Sequence, residues 1–107
     1  MDINLLHNKK VSVIGAARSG VAVAKLLKYH NINVFVSDSA VADKLKSSIS
    51  DLQSEKIEYE VGKHSNRVYE CELMVISPGV PCNAPVVLEA LKRNIKVVSE
   101  LEVGSWF

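Results

Sequence analysis

Val11-Ser12-Val13-Ile14-Gly15-Ala16-Ala17-Arg18-Ser19-Gly20 reads as a strand that breaks into a helix across a glycine-bracketed turn. A short, mostly apolar run ends at Gly15, and from Ser19 to His30 the residues Val23, Leu26, Leu27 and His30 recur at i, i+3, i+4, i+7, the period of a helix face. Asn31 closes that helix and Val34 to Val36 supplies a second strand. Ser37-Asp38-Ser39 ends the strand with polar residues suited to a turn or a helix cap. The result is one β-α-β unit.

The rest of the chain repeats the alternation. Ala42, Leu45, Ile49 and Leu52 follow a helical period, and Ile57, Tyr59 and Val61 alternate toward Gly62 as an edge strand does. Leu73 to Ile76 is the most continuous buried-strand candidate. Behind it Ser77-Pro78-Gly79-Val80-Pro81 cannot continue a sheet ladder. Pro85 opens a helix through Val87, Ala90 and Leu91, Asn94 stops it, and Lys96 to Val98 is the last strand. Alternating strands and helices imply an α/β fold, a Rossmann-like three-layer domain with a mostly parallel five-stranded sheet in the order 3-2-1-4-5.

Composition bounds what such a domain can be. Domains usually run to roughly 100 to 150 residues, so residues 1–107 are read as a single domain. An apolar content of 48% with 23% charged residues is that of ordinary globular proteins, which excludes a disordered or fibrous chain. The net charge is +1 and the thirteen basic residues are dispersed, leaving no electrostatic footprint for nucleic acid or an anionic membrane. No apolar run approaches the roughly 18 residues of a membrane span. Met1-Asp2-Ile3-Asn4 carries an early acid where a targeting segment has an apolar run, so the expected location is the cytoplasm. Cys71 and Cys82 lack paired-ligand spacing and are read as two unbridged thiols without a role or a metal. At the other end Ser99-Glu100-Leu101-Glu102 has the spacing of a capping box, and the large aromatic pair Trp106-Phe107 suggests a domain that belongs to a longer protein.

Three loops carry the candidate site. Gly15 to Gly20 stands where a dinucleotide fingerprint would, with Ala17 in place of the middle glycine; the helix amino terminus behind it offers N–H groups and a positive dipole end to a phosphate. Asp38, at the end of the second strand, either contacts a ribose diol or base edge or caps the next helix. Ser77-Pro78-Gly79 brings a hydroxyl and an N–H to the crevice where strand order reverses, the usual ligand position in such sheets; its alternative is a stiff turn into the next helix. Gly62-Lys63-His64 has neither the upstream glycine nor the following hydroxyl of a P-loop. His7, His30 and His64 are scattered without a paired acid in register and are read as surface, helix-end or cap residues, so no catalytic residue is assigned.

Taken in order, the strings Val11 to Gly20, Val36-Ser37-Asp38-Ser39, Met74-Val75-Ile76-Ser77-Pro78-Gly79-Val80-Pro81 and Ser99-Glu100-Leu101-Glu102 resemble the amino-terminal domain of the Mur ligase family. The resemblance covers nearly the whole chain, and Ser-Pro-Gly-Val-Pro with the later Glu-Leu-Glu is its most specific part. Within the family Arg18-Ser19-Gly20-Val21 is more similar to the branch that adds D-glutamate than to the branch that adds L-alanine, whose turn is richer in glycine. The resemblance implies a domain that binds the UDP part of UDP-N-acetylmuramoyl-L-alanine inside a cytoplasmic, ADP-forming amide ligase of peptidoglycan synthesis. Ser19, Gly20, Ser77, Pro78 and Gly79 would surround the diphosphate, Asp38 and Ser39 the uridine, and Arg18 a phosphate or the uracil. Ala40 stands where family members often carry a basic residue. By the same resemblance the partners are the substrate and the central and carboxy-terminal domains of the same protein. ATP and Mg²⁺ belong to the whole enzyme, while this chain holds no cofactor and is inactive alone.

Two other classes stay open. An NAD-binding regulatory module is favoured by Asp38 and disfavoured by Ala17 and the proline-rich loop at 77 to 85. A scaffold without a ligand requires Gly15, Gly20 and Gly79 all to be packing residues.

Overall fold

Residues 3–107 are described by a computed structural model; Met1 and Asp2, on which the reading of the amino terminus partly rests, lie outside the described residues. The elements are β1 (Lys10–Ile14), α1 (Arg18–Tyr29), β2 (Asn33–Asp38), α2 (Lys46–Ser54), β3 (Glu58–Val61), β4 (Leu73–Ile76), α3 (Pro85–Lys92), β5 (Lys96–Ser99) and α4 (Glu100–Gly104). The strands form one five-stranded sheet in the order β3-β2-β1-β4-β5, with every neighbouring pair parallel. This is the expected order, and β3 is indeed an edge.

Strand alternation divides the core between the two faces of the sheet. Val11, Val13, Val36, Val75 and Val98 enter one layer, packed with Val21, Ala24 and Leu27 of α1, Leu52 of α2 and Val103 of α4. Ile14, Phe35 and Met74 enter the other with Val86, Val87 and Ala90 of α3 and with Val68 of a 3₁₀ turn over Asn66–Tyr69. Each valine, leucine, isoleucine, methionine or phenylalanine side chain so removed from water contributes about 1.5–3 kcal/mol. No described helix is long and apolar enough to cross a membrane.

Two local expectations are corrected. On α1 the buried stripe is Gly20, Val21, Ala24 and Leu27; of the expected set only Leu27 is fully buried, Val23 and Leu26 are half-buried, and His30 is the C-cap. Gly20 and Ala24 let the helix lie close on the sheet, Val21 and Leu27 fill the core beside them, and Val23 and Leu26 flank the stripe. The segment from Ala42 is not one helix: a 3₁₀ turn over Ala42–Lys44 ends at Leu45, whose backbone (φ −125°, ψ 20°) breaks the run before α2 starts.

α1, α2 and α3 end in the same way. Asn31, Lys56 and Asn94 take left-handed φ values of 63°, 58° and 63°. The following isoleucine N–H reaches back in each case, Ile32 to Leu27, Ile57 to Leu52 and Ile95 to Ala90. These are Schellman caps in which the buried isoleucine seals the helix end, and they deliver the chain to the start of β2, β3 and β5.

Candidate anion-binding site at the strand ends

β1 lies between β2 and β4, so the turns that leave all three strands meet at one edge of the sheet. The ladders run one residue past the strands: Gly15 N donates to Ser37 O at 2.8 Å and Ser77 N to Ile14 O at 3.0 Å. Gly15 has φ +110°, and a β-carbon on it would lie 2.7 Å from Ser77 Cβ. Only glycine lets the first turn sit against the third. The second turn is tied to the first by Asp38, whose Oδ2 accepts from Ala16 N at 2.7 Å while Oδ1 accepts from Ala40 N at 2.8 Å. Asp38 thus closes its own turn and joins it to the glycine turn; it does not cap the next helix, whose N-cap is Val41 with no side-chain bond, and lone pairs remain on both oxygens for a ligand donor.

α1 begins with an unsatisfied end. Its N-cap is Ala17, which has no side-chain acceptor, and the first helical bond runs from Val21 N to Ala17 O at 3.0 Å. Among the described residues the N–H groups of Arg18, Ser19 and Gly20 have no acceptor. Three free donors at the positive end of a helix dipole make a site for an anion. A β-carbon on Gly20 would lie 2.1 Å from Gly15 O, so this glycine brings α1 onto the end of β1.

Ser77 to Val80 closes as a turn with Val80 N donating to Ser77 O at 2.9 Å. Ser77 is buried, whereas Pro78 and Gly79 are exposed. Gly79 keeps a negative φ, and a β-carbon there would meet nothing nearer than Ser77 Oγ at 4.0 Å. The space in front of Gly79 is therefore open, and its glycine is not demanded by packing. Arg18, Ser19 and Ser39 are exposed around the same edge. The structure thus gathers Arg18, Ser19, Gly20, Asp38, Ser39, Ser77, Pro78 and Gly79 at the carboxyl ends of adjacent strands.

Two polar groupings escaped the sequence reading. Ser37, fully buried, places Oγ 2.8 Å from Glu60 Oε2 and 2.7 Å from His64 Nδ1, and Glu60 Oε2 also accepts from Ser65 N at 2.7 Å. The serine has one proton; if it donates to the carboxylate, His64 must donate through Nδ1, which fixes its tautomer. Burial pushes the His64 ring below its ordinary value, against the pull of Asp38 and Glu60. For Glu60, burial pushes upward but the Ser65 and Ser37 hydrogen bonds and the field of His64 outweigh it, so its carboxyl is held low. His64 is half-buried and set beside an acid, correcting the expectation that it has none in register; Ser37 lies 27 positions upstream and Glu60 four positions away, and the β2–β3 pairing brings Ser37 beside them. The second is Glu100, buried although the capping-box pattern puts it on a helix start; Ser99 Oγ does accept from Glu102 N at 3.1 Å.

His7 is exposed and His30 stacks against Tyr29 and Phe107 at the end of α1, as expected. Both cysteines are free; Cys82 is exposed, and burial pushes the Cys71 thiol up, away from reactivity. Among the described residues no three His, Cys, Asp or Glu side chains group as metal ligands. A concavity of about 610 Å³ lies at the opposite, amino end of the sheet between Lys10, Lys28, Lys56 and Arg67. Two of its charges are engaged locally, Lys28 with Lys56 O and Arg67 with Glu58 and the Phe35 ring.

The family model described as Mur ligase MurD-like, N-terminal domain, matches residues 9–99. A UDP-N-acetylmuramoylalanine--D-glutamate ligase of Chloroherpeton thalassium is 40% identical over 102 residues, and one of Chlorobium phaeobacteroides is 46% identical over 99. These alignments take in 95% and 92% of this chain but 22% and 21% of the relatives, so the chain spans about a fifth of their length. Among solved structures, the UDP-N-acetylmuramate-alanine ligase MurC of Thermotoga maritima is similar with a TM-score of 0.68 at 19% identity, over 88% of this chain and 21% of that one. The shikimate dehydrogenase of Aquifex aeolicus reaches a TM-score of 0.58 at 16% identity, over 94% of this chain and 46% of that one. At those identities both share the fold alone.

Proposed function

Because the chain belongs to the MurD-like amino-terminal domain family of Mur ligases, we propose that it grips the UDP end of UDP-N-acetylmuramoyl-L-alanine. The whole enzyme, on this reading, is a cytoplasmic ATP-dependent ligase that adds D-glutamate in peptidoglycan synthesis. The observation that carries it is the unsatisfied start of α1 beside a serine–proline–glycine turn whose glycine faces open space. The N–H groups of Ser19 and Gly20 and the Ser77 hydroxyl donate to the diphosphate, Arg18 adds charge at the rim, and Asp38 and Ser39 take the uridine. The chain has no P-loop motif, and ATP and Mg²⁺ are assigned to the remainder of the enzyme, which supplies the acyl-phosphate chemistry. What this domain contributes is binding energy far from the reacting carboxylate, which positions the carboxylate for attack.

The test is an amide-resolved NMR titration with UDP and, separately, with NAD. We expect UDP to shift Gly15, Ser19, Gly20, Asp38 and Gly79 with weak affinity, and NAD to leave them in place. Shifts with NAD alone would overturn the reading in favour of a dinucleotide-sensing module, and silence with both would leave only the fold.

A further inference from the structure

Glu100 opens α4 one residue beyond β5, and since Ser99 pairs with Ile76, it lies level with Ser77. It is 6% exposed, and its Oε1 has no hydrogen-bond partner. That oxygen lies 3.3 Å from where a β-carbon on Gly20 would sit, against the first turn of the twelve-residue α1. A carboxyl oxygen left unpaired in the interior is costly, and this one lies against the helix end that carries the free N–H groups.

The charged and titratable residues on the elements packed against α4 are Arg18, Lys25, Lys28 and Tyr29 on α1 and Lys96 on β5; β4 has none, and α4 itself adds Glu102. None of these forms an ion pair with the carboxyl among the described residues. Burial pushes it above the usual carboxylate range, and the Ser19 hydroxyl is the one polar group that holds it down.

We propose that Glu100 is a proton-coupled positioning residue: it takes up one proton when a diphosphate settles on the α1 amino end, and returns it when the ligand leaves. The inference rests on the diphosphate reading above. While ionised, Glu100 is an internal occupant of the positive field at that end and repels a second anion. The step is a proton transfer alone: a carboxylate oxygen accepts H⁺ from solvent and the ligand's charge replaces the one removed. Once neutral, the carboxyl no longer draws the Ser19 hydroxyl proton, which turns to a phosphate oxygen. Burial makes the uptake easier by raising the carboxyl toward neutrality before any ligand arrives.

The experiment measures the affinity of the 107-residue chain for UDP-N-acetylglucosamine, whose esterified diphosphate does not titrate near neutrality. Between about pH 5 and about pH 8, we expect wild-type affinity to fall as pH rises, by up to about tenfold per unit above the Glu100 pKa. Glu100→Gln should bind with one affinity throughout, and Glu102→Gln, altered at an exposed site, should behave as wild type. In the wild-type protein the Glu100 carboxyl carbon should titrate at higher pH with ligand than without, a readout that survives if the variant fails to fold. Equal pH dependence in wild type and Glu100→Gln, or a carboxyl titration that ligand does not move, would overturn the inference and leave the diphosphate reading intact. No binding at any pH in any of these proteins would overturn both.

Discussion

Gly20 and Gly79 lie at the same candidate site for different reasons, and substitution separates them. A β-carbon on Gly20 collides with the backbone oxygen of Gly15 at 2.1 Å, so α1 must retreat from β1 before alanine fits. We expect Gly20→Ala to lower stability by about 1–3 kcal/mol, read as a lower urea midpoint at unchanged slope. Gly79 has room for a side chain and no left-handed backbone. Gly79→Leu should leave the stability from urea unfolding within about 0.5 kcal/mol of wild type, while the UDP-induced amide shifts disappear because the side chain fills the ligand's place. A Gly79→Leu protein that still binds UDP would remove that turn from the site.

Among the elements, the shared Schellman cap shows what the sequence made legible. Asn31 and Asn94 were readable as helix stops because asparagine accepts the left-handed conformation; Lys56 takes the same φ of 58° with no such mark, and lysine at this position gives a reader no stop signal. It also carries a cost. A non-glycine left-handed residue is roughly 1–2 kcal/mol less favourable, so Lys56→Gly is expected to raise stability by about 1 kcal/mol, measured by urea unfolding. The three site turns were legible for a related reason, since glycine or proline marks the departures from β1 and β4 and the polar run Ser37-Asp38-Ser39 marks the departure from β2. The true stripe of α1 was not, because Gly20 and Ala24 bury little apolar surface and a hydrophobic pattern gives them little weight. The Ser37–Glu60–His64 cluster and Glu100 were hidden for another reason: their neighbours are remote in sequence and are assembled only by the sheet order and helix packing.

For the molecule as a whole, the half-buried Glu60 and His64 and the buried Glu100 oppose one another across the pH scale. Glu60 is held low, so its contribution is present above the ordinary carboxylate value and is lost as pH falls through its folded one. His64 is also lowered and stays neutral in the fold, so stability is again lost as pH falls. Glu100 is raised; what it contributes is present below the ordinary carboxylate value and is lost as pH rises through its folded one. The urea midpoint should therefore fall on both sides of an intermediate pH, and Glu100→Gln should remove the decline on the upper side that Glu100 causes. An unchanged upper limb in that variant would mean that the buried carboxyl titrates alike in the folded and unfolded chain. Asp38 acts at this scale as well. By holding the Ala16 and Ala40 amides with its two oxygens at 2.7 and 2.8 Å, it makes the span between the first and second turns a fixed ruler. On the UDP reading, a ligand long enough to reach both turns would make its second contact without ordering anything further, and one too short would forfeit that gain, so the domain would select for length before it selects for chemistry.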